Sequence, residues 1–270
     1  MKIVGNGSFA DLTKMDLSGL TPELTEKEKL SPYAKYYFGR PADPDPDVME
    51  AIKPNNAIDP LKAIMPKDIA KLVRNHGQRE VENGYCVMPD GTGYATILTR
   101  SYDITPEVQK VNESFTPEGD LGYKIWYPGA HIRHLTDGAI EDMGTGIMKI
   151  NFYGQLPPSA FGIDDLKSLD PDCIGLMGGG GRSKKLNDGE DVPFAYMANI
   201  HYSRKVGNGS EMRSFFWNGM RVVNGKLEVF LNPGQVITNE QMRMVAAHCA
   251  YEFANNRAVM LKWYNDHKNR

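Results

Sequence analysis

Cysteine is scarce: Cys86, Cys173 and Cys249 are the three in 270 residues, far apart and odd in number. That excludes a disulfide framework and a cysteine zinc knuckle, and makes a reducing cytoplasm the expected compartment. Long apolar runs are missing too. No uninterrupted stretch approaches the ~20 residues of a membrane span, and the opening "MKIVGNGSFADL" has no apolar core of signal-peptide length. Neither charge is in large excess: 31 basic residues stand against 34 acidic ones, a net charge of -3, with no basic patch or tail. Nucleic acid and membrane are therefore not expected partners. No Gly-x-Ser-x-Gly elbow occurs, which disfavours a serine hydrolase. The glycine run at 178–181 lacks the lysine-threonine ending of a phosphate cradle and reads as a flexible or tightly turning loop.

What is present is ordinary globular composition, 41% hydrophobic and 24% charged. The length fits one large domain, or one large domain with a smaller N-terminal region, and a core able to enclose a small ligand. Residues 1–82 are rich in Pro, Asp and Lys, and suit short helical pieces such as "TPELTEKEKLSPYAKYYF" and "PKDIAKLVRNH". From residue 83 the pattern changes to β-rich runs joined by turn signals: Asp90-Gly91, Thr136-Asp137-Gly138, Gly207-Asn208-Gly209 and Asn224-Gly225. "GYKIWYPGAHIRHL" reads as one of these runs. Successive hairpins predict an antiparallel meander of six or more strands. The chain then ends in "TNEQMRMVAAHCAYEFANNRAVMLKWY", which opens with Thr238 and Gln241 in capping-box spacing and continues in helix-favouring residues. A meander followed by one long helix predicts an α+β fold, a curved sheet wrapped round the helix in a helix-grip arrangement, with a ligand cavity between them. The expected division is 1–82 and 83–270.

Three places could carry chemistry. On the terminal helix, His248 and Glu252 are one turn apart and face the same way. A carboxylate in such apolar company needs compensation. A shared metal ion is one possibility; a mutual hydrogen bond, or an arginine from the sheet such as Arg213, is another. In "AHIRHLTDGAIEDMG", a two-residue turn at Asp137-Gly138 would set His134 opposite Glu141, about 5 Å apart; the alternative is a solvated surface hairpin. In "ANIHYSRKV", strand alternation puts Asn199, His201 and Ser203 on one face, lining a wet cavity or facing solvent.

Taken together and in order, "NGYCVMPDGTGY", "GYKIWYPGAH", "AIEDMG", "IHYSRKVGNGSEMRSFFWNG" and "AAHCAYEFAN" resemble the phloretin hydrolase and diacetylphloroglucinol hydrolase family, from about residue 83 to the C-terminus. The resemblance implies a START-like helix-grip catalytic domain and hydrolysis of the carbon–carbon bond between an acyl group and a polyhydroxylated aromatic ring. It implies one zinc ion held by two histidines and two glutamates, and a homo-oligomer. By motif, Glu141, His248 and Glu252 are the expected metal ligands. His201 lies beside the substrate as a catalytic acid/base or phenol partner, and Glu252 could also move the water proton. Family members usually carry a Trp-His segment before "YKIW" that supplies the remaining ligand. Here "TPEVQKVNESFTPEGDLGYKIW" has neither residue, and that position falls near Phe115 or Thr116. Either the metal site is degraded, or His134, favoured by the hairpin register, or else His131, replaces that ligand. A helix-grip protein that binds an aromatic molecule without turning it over is the alternative, supported by that missing segment.

Overall fold

The computed structural model describes residues 24–269 apart from 39, 76–78, 136–139, 144–146 and 188–189. It is an α+β structure built on a large antiparallel sheet and a long C-terminal helix, as the sequence predicts. The strands are β1 (Gly84–Val87), β2 (Gly93–Ser101), β3 (His131–His134), β4 (Ile140–Met143), β5 (Ile147–Leu156), β6 (Cys173–Asn187), β7 (Glu190–Val206) and β8 (Gly209–Asn218). They form one eight-stranded sheet in the order β1-β2-β8-β7-β6-β5-β4-β3. A separate ribbon pairs β9 (Met220–Val223) with β10 (Lys226–Val229). Its turn is Asn224-Gly225, both at positive φ (49° and 79°), the left-handed pair that an Asn-Gly hairpin turn requires. Gly207, at positive φ (60°), and Asn208 form the two-residue turn of the β7–β8 hairpin, between Val206 and Gly209.

Among the described residues six α-helices accompany the sheet: α1 (Glu26–Lys29), α2 (Pro46–Ala51), α3 (Ile69–Arg74), α4 (Pro106–Asn112), α5 (Leu121–Trp126) and α6 (Asn239–His267). The capping box of α6 is complete: Thr238 Oγ1 accepts from the Gln241 N–H and Gln241 Oε1 from the Thr238 N–H. At the helical rise its 29 residues span roughly 43 Å. The first half buries Met242, Ala246, Ala247, Cys249 and Ala250 against Tyr85, Ala95, Ile97 and Phe216 of the sheet. The second half packs Val259 and Trp263 against Tyr36, Leu121 and Ile125. Both edge strands meet this helix: Val87 of β1 donates its N–H to Asn239 Oδ1 (2.9 Å), and His131 of β3 reaches His248. The two edges of the sheet thus meet α6 between Asn239 and His248.

Two elements differ from the sequence reading, and α4 is one it did not address. "LGYKIW" is helix α5, not strand; Leu121 and Ile125, one turn apart, fill the aromatic cluster around Trp263. The Thr105-Pro106 start of α4 is a capping signal of the kind that also opens other helices here. The glycines at 178–181 lie inside β6 rather than in a loop. A Cβ at Gly178 would meet Phe161 at 2.8 Å, and one at Gly179 would meet Asn199 Oδ1 at 2.5 Å, so the strand is bare because its neighbours already occupy the space.

The face of the sheet away from α6 is covered as well. Tyr94, Trp217, Phe215, Ile200 and Tyr202 pack under α3 and the turn Pro158–Phe161. N-terminal residues thus share both cores, Val48 and Ile52 on one face and Ile69 and Val73 on the other. On this second face Arg213 makes a bidentate pair with Glu82 (2.7 and 2.8 Å). Burial works to raise the Glu82 carboxyl, but the Arg213 guanidinium and the Arg79 N–H outweigh it and hold the carboxyl below its ordinary range. The Arg213 side chain is 5% exposed, so Glu82→Ala strands a buried guanidinium. The expected loss is about 3 kcal/mol of stability, read as a lower urea midpoint. Among the described residues no helix is long and apolar enough to cross a membrane.

Candidate metal centre

The site lies where β3, β4 and α6 converge under α5. Asn255 fixes that convergence. It is fully buried on α6, on the His248 side of the helix, and its Nδ2 donates to the carbonyls of Ile125 (2.8 Å) and Trp126 (3.1 Å), while Oδ1 accepts from the Ala42 N–H. The C-terminal end of α5 is thereby tied to α6. A second tie comes from α1, whose Glu28 accepts two bonds from the buried Lys124 ammonium (2.8 and 2.9 Å).

His131 then enters from β3. Its Nδ1 is 2.9 Å from the Tyr123 carbonyl. A carbonyl only accepts, so Nδ1 carries the proton and Nε2 presents a bare lone pair. That Nε2 is 3.3 Å from Nε2 of His248 and 3.6 Å from Oε2 of Glu252; His248 Nε2 is 3.8 Å from the same oxygen. The His131 ring stacks on Tyr123 at 3.9 Å, nearly parallel. Asp142, directly across β3–β4 from His131, completes the group. One ligand atom each from His131, Asp142 and His248 lies within 4.8 Å of the others. The Tyr123 hydroxyl donates to Asp142 Oδ1 at 2.6 Å.

Every group here is pushed toward its uncharged form. Burial, with His248 beside it, lowers the His131 imidazole to about 2, and burial lowers His248 to about 4. Burial raises Asp142 to about 7 despite the Tyr123 hydrogen bond. Burial, and then the Asp142 charge, hold Glu252 well above the ordinary carboxyl range. Among the described residues no lysine or arginine pairs with either carboxyl. Arg213, the sequence candidate for neutralising Glu252, is on the other face of the sheet with Glu82. The His131 and His248 nitrogens and the Asp142 carboxyl, with Glu252 beside both histidines, are a donor set that a divalent cation satisfies. The 3.3 Å nitrogen separation also fits: two ligands about 2.05 Å from one tetrahedral ion stand ~3.3 Å apart.

The predicted residues divide as follows. His248 and Glu252 meet at the cluster. Of the two histidines considered as replacements, the structure puts His131 there. His134 is 57% exposed and turned to Asp120, whose Oδ1 accepts from its N–H (2.9 Å) and lies 3.3 Å from its Nδ1. The expected pairing of His134 with Glu141 does not form. His134 pairs with Ile140 and Arg133 with Glu141, after a register shift between His131 and Arg133. The turn at Asp137-Gly138 and the side chain of Glu141 lie outside the described residues. Asp142, next to Glu141, is the ligand candidate that sequence reasoning missed. The Phe115 position is not near the cluster: Phe115 packs on Trp263 (5.0 Å), fifteen residues and roughly 22 Å along α6 from His248.

His201 is buried on β7, on the α6 side, with Phe253 at 5.6 Å. Asn199 Nδ2 donates to its Nε2 (2.8 Å), so Nδ1 carries the proton and donates to Ser214 Oγ (2.8 Å). Both ring nitrogens are engaged. Ser214 is fully buried and receives this proton rather than giving one up, so the pair is not a nucleophile and base. Burial lowers His201 to about 4, which keeps it neutral. Phe253 bridges from His201 to Trp126 (5.8 Å), and Trp126 stands edge-on to His131 (5.2 Å). An aromatic wall therefore runs from His201 to the cluster.

No curated protein matches the chain at a significant level. A family description does: the DAPG hydrolase PhiG domain matches residues 64–139 and 134–264. Those two segments take in every strand of the sheet, most of α6 and all four residues of the cluster, and on that extent of agreement the chain belongs to the DAPG hydrolase PhiG domain family.

Proposed function

We propose that the protein is a metal-dependent hydrolase that cleaves the carbon–carbon bond between an acyl group and a polyhydroxylated aromatic ring, with phloretin or an acylphloroglucinol as the type of substrate. The observation that carries this reading is the convergence of His131, His248, Asp142 and Glu252, bare of cationic partners among the described residues, in a chain of this family. Zinc suits two imidazoles with two carboxylates. When bound, such an ion would polarise the acyl carbonyl and lower the pKa of a water. A sheet that meets α6 at both edges supports a helix-grip cavity for the substrate.

The protein's own groups do the rest. Water adds across the bond: its hydroxyl goes to the acyl carbon, its proton to the ring carbon, and a carboxylic acid and a phenol leave. A polyhydroxylated ring can take that proton because its keto tautomer is accessible. Glu252, whose Oε2 lies 3.6 and 3.8 Å from the two histidine nitrogens, would accept a proton from the attacking water and return it to the ring. Tyr123 fixes both His131, through its carbonyl, and Asp142, through its hydroxyl. The wall of Trp126, Phe253 and His201 suits a flat ring, with His201 held neutral beside it.

The test is metal content in protein purified without added zinc, together with acid release from phloretin or diacetylphloroglucinol. About one equivalent of metal and stoichiometric acid are expected, and His248→Ala and Glu252→Ala should each lose both. Full activity in both variants would sink the reading. Tight binding of the phenol with neither metal nor product would make the protein a carrier.

A further inference from the structure

Helix α5 has six residues, too few to hold their shape without tertiary contacts. It nonetheless positions half of the cluster. Its N-cap, Asp120, accepts from the His134 N–H of β3 (2.9 Å), and one turn on the Tyr123 carbonyl accepts from His131 Nδ1 (2.9 Å). The helix is thereby tied to both ends of that strand. The Tyr123 hydroxyl reaches across to Asp142 of β4. Wherever α5 sits, two of the candidate ligands sit with it.

The side of α5 next to Tyr123 is held by a charge pair. Lys124 is 7% exposed, and its Nζ donates to both oxygens of Glu28, at 2.8 and 2.9 Å. Glu28 is the only carboxylate paired with it among the described residues. The Glu28 side chain is itself 13% exposed, and it is aimed by the capping box of α1. Its Oε2 accepts from the Thr25 N–H (2.7 Å), and its own N–H donates to Thr25 Oγ1 (3.2 Å). Burial works to raise the Glu28 carboxyl, but Lys124 and the Thr25 N–H outweigh it and hold the carboxyl below its ordinary range. Glu28 lies well before residue 64, where the family match begins.

We infer that Glu28 is a positioning residue of the metal centre: by neutralising Lys124 it seats α5, and through Tyr123 it sets how tightly His131 and Asp142 hold the ion. The inference rests on the metal-dependent reading and adds to it a part of the chain that the family match does not reach. Without the Glu28 charge the ammonium does not stay buried, because an unpaired buried charge is costly. It moves toward water, the short helix moves with it, and the Tyr123 carbonyl and hydroxyl leave their partners. Groups that orient metal ligands from outside tune affinity without touching the ion.

The test titrates metal-free protein with cobalt(II), whose visible absorption reports its ligands. The dissociation constant is read at a temperature where circular dichroism shows each variant to be folded. Glu28→Gln should bind cobalt roughly ten-fold more weakly than wild type. Removing the charge that Glu28 serves should undo the loss: the double variant Glu28→Gln/Lys124→Met should return to within about threefold of wild type. Glu82→Ala is the comparison, since it strands Arg213 on the other face of the sheet; it should lose stability and keep its cobalt affinity. If Glu28→Gln does not fold, Glu28→Asp, which keeps the charge but draws it back by a methylene, is read instead, and several-fold weaker binding is expected. Unchanged affinity in the Glu28 variant, no recovery in the double variant, or equal weakening in Glu82→Ala would overturn the inference and leave the metal centre standing. Wild-type protein that takes up no cobalt would bring down both.

Discussion

His131→Ala is expected to abolish metal binding and lower acid release from an acylphloroglucinol by at least ~10³-fold, while His134→Ala leaves both within about twofold. The contrast follows from geometry, since the two histidines are the ends of the same four-residue strand. His131 is 2% exposed, its proton is spent on the Tyr123 carbonyl, and its Nε2 is aimed at His248 and Glu252. His134 is exposed and engaged with Asp120. Losing an outer hydrogen bond to a metal ligand already costs ~10–100-fold, so losing a ligand costs more. Elemental analysis and an acid-release assay on both variants decide it, with circular dichroism to show that each is folded. Retention of metal by His131→Ala together with its loss from His134→Ala would mean that β3 presents its other end to the site.

That comparison also marks how far the sequence could be read. The long terminal helix was legible because capping residues, helix-favouring composition and length agree at one place, and the pair His248 and Glu252 follows from helical spacing alone. The β7–β8 and β9–β10 hairpins were legible because Gly207-Asn208 and Asn224-Gly225 permit only tight turns. The β3–β4 hairpin was not. A register shift lies between His131 and Arg133, and slipping a strand by one residue exchanges the faces of every side chain. Glu141 and Asp142 are adjacent; Asp142 is the one that pairs with His131 across the strands, and it joins the candidate ligands, while the side chain of Glu141, the glutamate of the family motif, lies outside the described residues.

Other misreadings share a cause, which is that local composition lost to tertiary packing. "GYKIWYP" is rich in aromatic and β-branched residues and favours a strand in isolation. It forms α5 because Leu121 and Ile125 complete a cluster with Tyr36 and Trp263, and because Asn255 takes up the carbonyls at its C-terminal end. Four successive glycines favour a loop in isolation, but they lie in β6, where a Cβ at Gly178, Gly179 or Gly180 would crowd Phe161, Asn199 or Leu156. Phe115, where a ligand was sought, serves the same cluster as Trp263. None of these partners is near in sequence, so no local pattern could announce them.

The stability of the protein should respond to pH in opposite ways with and without metal. Without it, Asp142 is raised from 3.8 to about 7 and Glu252 is raised well above 4.5, so the folded chain keeps protons that the unfolded chain has released. Their stabilising contribution is present below the unfolded values and disappears as pH rises through the folded ones. His131 and His248 are lowered from 6.5 to about 2 and about 4, so the unfolded chain takes up protons below 6.5 that the folded chain refuses. The histidines therefore cost stability as pH falls below 6.5, and between 4.5 and 6.5 the two effects oppose each other. Above 6.5 the carboxyls alone remain. Metal-free protein should then lose up to about 1.4 kcal/mol per pH unit for each carboxyl still protonated. A divalent cation removes the need for those protons, and its binding releases them. The gap in Tm between zinc-loaded and chelator-treated protein should accordingly widen from about pH 6 to about pH 8. In Asp142→Asn, which has no proton to release, the widening should shrink. A gap that stays constant across that range in the wild type would show that Asp142 and Glu252 do not share the ion, and the four-residue centre would reduce to its two histidines.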